Sequence, residues 1–195
     1  MLHKCESQYE RIALEKLLRA QDFIQDDPLI LKQLGHDGVI PPISQELLEQ
    51  SARTNCAIVL KFPTTLIELE SRMRESAVAI IDRGAKSLEI DIDKPEWMLV
   101  PHSVNEDSLG SLKEDLLERV PPGAFRHPMD TILMVAYYHQ NKGRGNPMPG
   151  FEGKSTMTSQ PNLVVGSSVR GLQVMVRDQF DLVSFPDIGL AYSPV

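Results

Sequence analysis

The chain is poor in cysteine. Its Cys5 and Cys56 stand in no CxxC pair, and no Cys/His spacing fits a structural zinc site. A framework of disulfides is thereby excluded, and a reducing compartment, the cytoplasm, is expected. An excess of positive charge is also missing. Lys and Arg number 20 against 27 Asp and Glu, for a formal charge of −7. Phosphate contacts supply most nucleic-acid affinity, so nucleic acid is a poor default partner. The acidic balance suits a basic partner segment instead. No run approaches the ~18 apolar residues of a membrane span, and Met1–Glu6 lacks a secretory pattern. Repeats and low-complexity tracts are absent as well.

What remains is an ordinary globular composition, 42% hydrophobic over 195 residues. It predicts one domain spanning 1–195, with 141–162 as a long internal loop.

The opening third reads as helices. Ser7 and Glu10 have capping-box spacing, and Tyr9, Ile12, Ala13, Leu17, Ala20 and Ile24 recur as one inward stripe. Asp27, Pro28 and Gly35 punctuate a short second helix, and Ser44 caps a third that carries Leu47, Leu48 and Ala52. Between them His36–Ile43, with Gly38, Pro41 and Pro42, reads as a loop.

Cys56–Phe62 is a continuous apolar run ending at Pro63, as expected of a strand buried on both faces. Thr65 and Glu68 then open a long helix with Leu66, Leu69, Met73, Ala77 and Ile80 inward, ended by Gly84. Lys86–Asp93 alternates, with Leu88, Ile90 and Ile92 opposite Glu89, Asp91 and Asp93. This order suggests a parallel βαβ unit, with Trp97–Val100 as a short additional strand. Asp107–Val120 and a nearly all-apolar segment after Pro128 read as helices. Leu163–Ser167, Gly171–Arg177 and Phe180–Phe185 read as an antiparallel meander. The predicted class is therefore α/β of the mixed α+β kind: one sheet of about five strands, a βαβ-like centre, N-terminal helices and a C-terminal meander.

Several groups invite chemistry. Lys142, Arg144 and Lys154 lie in a Gly-rich stretch whose backbone N–H groups could approach an anion. The stretch is not a P-loop, because Met148 stands where the motif needs its first Gly. Glu89, Asp91 and Asp93 project from one strand face, where carboxylates hold Mg²⁺, serve as acid/base pairs, or protect a wet edge. His127, Asp130, Tyr137, Tyr138 and His139 gather around the helix after Pro128. Cys56 is a nucleophile candidate with His102 or His127 as base, or a small buried hydrophobe. None of these is a complete catalytic signature, so no catalytic residue, metal or cofactor is assigned.

The opening helices carry more apolar residues than one docking face needs. Leu14 and Leu18 lie off the main stripe, and Leu29, Ile30, Leu31 and Leu34 crowd the second helix. Such a surplus is either a partner-binding surface or core. The expectation drawn is a non-enzymatic protein-binding module, an adaptor or small acidic chaperone holding a segment of a partner protein. The alternative is an enzyme acting on a phosphorylated or anionic small substrate through the basic loop, with His127 or Asp130 as acid/base group.

Overall fold

A computed structural model describes residues 2–21, 23–54, 56–73, 79–80, 88–101, 103–121, 124–141, 153–160, 163–168, 171–176 and 186–191. For 2–7, 79–80, 138–141, 167–168, 171 and 176 it describes the backbone alone. The fold is mixed α+β.

Local signals act as expected at several helix ends. Helix α2 (Pro28–Leu34) begins where the Asp27 side chain accepts from Leu29 N and ends at Gly35, which takes φ 112°. Helix α3 (Gln45–Thr54) is capped by Ser44, whose Oγ accepts from Leu47 N at 3.2 Å. Helix α4 (Leu66–Met73) opens with a reciprocal capping box. Thr65 N donates to Glu68 Oε2 at 2.9 Å, and Glu68 N to Thr65 Oγ1 at 3.2 Å.

Other boundaries move. Helix α1 runs from Leu2 to Ala20, so Ser7 lies inside it rather than at its start. Ile24 belongs to strand β1 (Ile24–Gln25). The helix after Thr65 is described as far as Met73, and Ile80, expected within it, sits in strand β4 (Ala79–Ile80). The helix expected over 107–120 is broken at Gly110, where φ is 70°, leaving a 3₁₀ turn at Glu106–Ser108 and α5 (Lys113–Arg119).

Strand β2 (Cys56–Lys61) is buried along Cys56–Leu60, as its apolar run implies. Its neighbours correct the βαβ expectation. β1 pairs with it in parallel, and β6 (Glu96–Pro101) pairs antiparallel along its whole length, from Cys56↔Pro101 to Lys61↔Glu96. Among the described residues the alternating segment 86–93 contributes β5 (Glu89–Ile90), antiparallel to β3 (Thr64–Thr65). The reason is charge: a strand with a carboxylate at every second position cannot lie beside one buried on both faces, whereas Trp97–Val100 can.

In place of the one sheet expected, the described residues form three, and the five-stranded one runs in space Ile188–Gly189, Ser155–Met157, Leu163–Ser168, Gly171–Val176 and Ala79–Ile80. Strands β7 (Ser155–Met157), β8 (Leu163–Ser168) and β9 (Gly171–Val176) form an antiparallel meander. β4 and β10 (Ile188–Gly189) add parallel edges. Thus β7 lies within the stretch expected to be structureless, while the proposed strand 180–185 lies outside the described residues.

Helix α6 (Pro128–Asn141) packs on β8 and β9 and also meets β2, β5 and α2. Residues Thr131–Tyr137 are buried without interruption. The Tyr137 hydroxyl donates to Leu60 O at 3.1 Å, tying α6 to β2. Burial, and then the charge of Asp26, push the Tyr137 phenol well above its ordinary range, against the lowering effect of the Leu60 bond. The folded state therefore resists ionisation that the unfolded chain undergoes from about pH 10. Stability should be intact below that value and fall as pH rises beyond it. Tyr137→Phe should cost about 1 kcal/mol at neutral pH and remove Tyr137's share of the alkaline decline, as read by urea unfolding between about pH 8 and 11.

Candidate functional site

The structure brings several of the sequence-selected polar groups to one place. A cleft of about 230 Å³ is lined by Lys61, Glu89, Ile90, Asp91, Ile92, His127 and Asp130. Lys61 ends β2, Glu89 and Asp91 lie on and just after β5, and His127 and Asp130 begin α6. The alternation of 88–93 holds as read: Leu88 and Ile90 are buried and Ile92 is half-buried, while Glu89, Asp91 and Asp93 face water. Asp93 does not line the cleft.

Three of these groups, Lys61, Asp130 and His127, are already engaged. The Lys61 ammonium stands 2.9 Å from Asp130 Oδ1 without hydrogen-bonding alignment, so the attraction is chiefly Coulombic. The same ammonium is 3.7 Å from its cross-strand neighbour Glu96. Asp130 lies in the first turn of α6, where the helix dipole favours negative charge. His127 precedes that turn and uses Nδ1 to accept from Met129 N at 3.3 Å. Its ring is therefore a helix cap, with Nδ1 occupied as acceptor. Burial lowers Arg126 from its ordinary value, opposed by Cys56 and Asp130. With Glu89, Asp91 and Asp130 against Lys61, the cleft repels an anion. No group of three or more His, Cys, Asp or Glu among the described residues could hold a metal ion.

Lys61 belongs to no motif, although the sequence carries a signal for it. A single cation between Leu60 and Phe62 in a buried strand requires a counter-charge, and Asp130 supplies it.

The other sequence candidates disperse. Cys56 is a free, buried thiol inside the sheet, in keeping with a small hydrophobe. Lys154 follows Gly153, whose φ is 71°, and meets Glu106 at 3.4 Å near the surface. Its proposed companions Lys142 and Arg144 lie outside the described residues, as do His102 and the side chains of Tyr138 and His139.

The apolar candidates need a correction. Leu18, Ile30, Leu31 and Leu34 are buried, so they are not available on the surface. Leu18 joins Ile24, Ile43, Leu48 and Ile58 in one cluster. Ile30, Leu31 and Leu34 belong to the main core, where α2 packs on α4 and α6. Leu14 is half-buried and Leu29 is 64% exposed. The inward stripe assigned to α1 is likewise reversed. Leu14 and Leu18 face the body, where α1 packs on α3, while Tyr9, Ile12 and Leu17 are 76%, 43% and 53% exposed and Ala13 is exposed beside them. At 100° per residue the exposed set forms a stripe opposite Leu14 and Leu18.

The chain matches no protein-family model, no curated protein and no solved structure. No helix among the described residues is long and apolar enough to cross a membrane.

The cleft gives a stability test. Lys61 and Asp130 side chains are each 19% exposed, so Lys61→Met should leave a mostly buried carboxylate uncompensated and cost roughly 1–3 kcal/mol in urea unfolding. Adding Asp130→Asn should recover part of that loss. Equal stability of the single variant and the wild type would mean that solvent already screens the pair.

Proposed function

We propose that the protein is a non-enzymatic protein-binding module of the cytoplasm, an adaptor that holds an amphipathic helical segment of a partner along the outer face of α1. The observation that carries this reading is the exposed stripe of Tyr9, Ile12, Ala13 and Leu17, set opposite the side of α1 that docks on α3. Tyr9, Ala13 and Leu17 are spaced by four residues, the row that forms a ridge for packing into the groove of another helix. Ala13 is the low point between two larger side chains and admits close approach. Tyr9 combines a large apolar ring with a polar tip, a combination enriched at interfaces. Lys16 and Arg19 lie on or beside the stripe, and Glu10 and Glu15 flank it, giving the polar rim such a contact needs.

On this reading the binding face of α1 lies opposite Leu14 and Leu18. The enzyme alternative draws less support. Nδ1 of His127 is used as a cap, Asp130 is paired with Lys61, and the described lining of the cleft between them is net negative, which disfavours an anionic substrate.

Leu17→Glu tests the reading. The side chain is exposed, so unfolding should shift by no more than about 0.5 kcal/mol. From extract of the native host, the wild type should retain a protein in stoichiometric amount that the variant loses, with cross-links from its helical segment to residues 9–17. Identical recovery by both chains, or cross-links confined to other faces, would overturn the proposal.

A further inference from the structure

A second cavity is lined by α2 and the segment that follows it, and its wall contains a histidine in an unusual setting. Gly35 ends α2 with φ 112°, donating to Leu31 O at 2.9 Å and Lys32 O at 3.1 Å, and His36 N donates to Leu31 O at 2.8 Å. This is the reversal that closes helices with a left-handed glycine, and the residue in the place of His36 is ordinarily an apolar one packing back on the helix. His36 does pack inward. It is 9% exposed, and its ring lies 5.2 Å from the Phe62 ring, centroid to centroid. Yet Nε2 is enclosed and meets no hydrogen-bond partner among the described residues. A buried polar atom without a partner is costly, and an apolar ring would fill the same space without that cost.

The cavity measures about 330 Å³ and is lined by Pro28, Leu31, Lys32, His36, Asp37, Gly38 and Ile40. That size falls at the lower end of small-molecule sites. Pro28, Leu31 and Ile40 offer an apolar wall, and Lys32 brings the ammonium of an exposed side chain. Gly38 passes over the imidazole so closely that a Cβ there would stand 3.1 Å from Cε1. Gly38 thus closes over the ring, and a ligand reaches Nε2 only once this segment lifts.

We propose that this cavity binds a small organic monocarboxylate. In its Nε2–H form the imidazole donates to one carboxylate oxygen as the Gly38 segment lifts, the Lys32 ammonium pairs with the charge, and Pro28, Leu31 and Ile40 receive the short apolar body. Asp37 on the same wall opposes a second negative charge, which selects a monocarboxylate over phosphate. The site is independent of the outer face of α1.

Butyrate is the probe, with butylammonium and inorganic phosphate as controls. Titration of the full chain, followed by the His36 ring nitrogens in NMR and by ligand-observed saturation transfer, should give a saturable change with butyrate at millimolar or lower concentration. The controls should give none. Lys32→Ala should weaken binding by about threefold or more. His36→Phe should abolish it while keeping or raising the unfolding midpoint, and Leu17→Glu should leave it unchanged. A non-saturating response, an equal response to butylammonium or phosphate, or full affinity in His36→Phe would overturn the proposal. Should His36→Phe fail to fold, Lys32→Ala decides alone, and unchanged affinity there would overturn it.

Discussion

The arrangement rests on the need to enclose one helix on all sides. Residues Thr131–Tyr137 of α6 have no face suited to water, so protein must surround them. The meander of β8 and β9 covers one side, and β2, β5 and α2 close others. The core cluster built on this helix joins residues from the first half of the chain, such as Leu31 and Leu60, to Leu163 and Val174 from the last third. The Tyr137 hydroxyl marks how tightly that enclosure is made, because its acceptor is a carbonyl of the fully buried strand. The polar cleft is a by-product of the same packing. It opens where the charged start of α6 meets the end of β2 and the wet edge of β5.

Signals carried by adjacent residues were legible in the sequence. The Asp27–Pro28–Gly35 punctuation, the Thr65/Glu68 box and the alternation of Leu88–Asp93 all describe local chemistry, and all appear in the structure. Pairing between distant strands was not legible. β2 could have been joined in parallel by 86–93 or antiparallel by 96–101, and the winner was decided by which neighbour tolerates burial on both sides. Strand β7 was hidden for a related reason. Ser155 and Thr156 look like loop residues, but Ser155 lies over Gly166, where any Cβ would collide with its hydroxyl, and Thr156 accepts from Ala191 N at 2.8 Å.

The reversal of α1 shows a different limit. Apolar residues occupy two opposite sides of this helix, so periodicity alone could not choose the docked one. Tertiary contacts choose it. Leu18 packs with Ile24, Ile43, Leu48 and Ile58, and in the same orientation Arg11 reaches Ile43 O at 3.0 Å and Arg19 holds Asp26 at 2.6 Å. His36 escaped notice because a single histidine after a glycine has no motif. Its interest arises only when the ring is found against Phe62 with no partner for Nε2 among the described residues.

The chain has a single tryptophan, and its indole N–H donates to Pro41 O at 2.8 Å across 56 positions of sequence. Trp97 thereby pins the segment that begins at His36 to strand β6. Any event that loosens this segment changes the hydration of the one indole, so intrinsic fluorescence provides a built-in optical gauge of whether the strap is seated. No dye or label is needed.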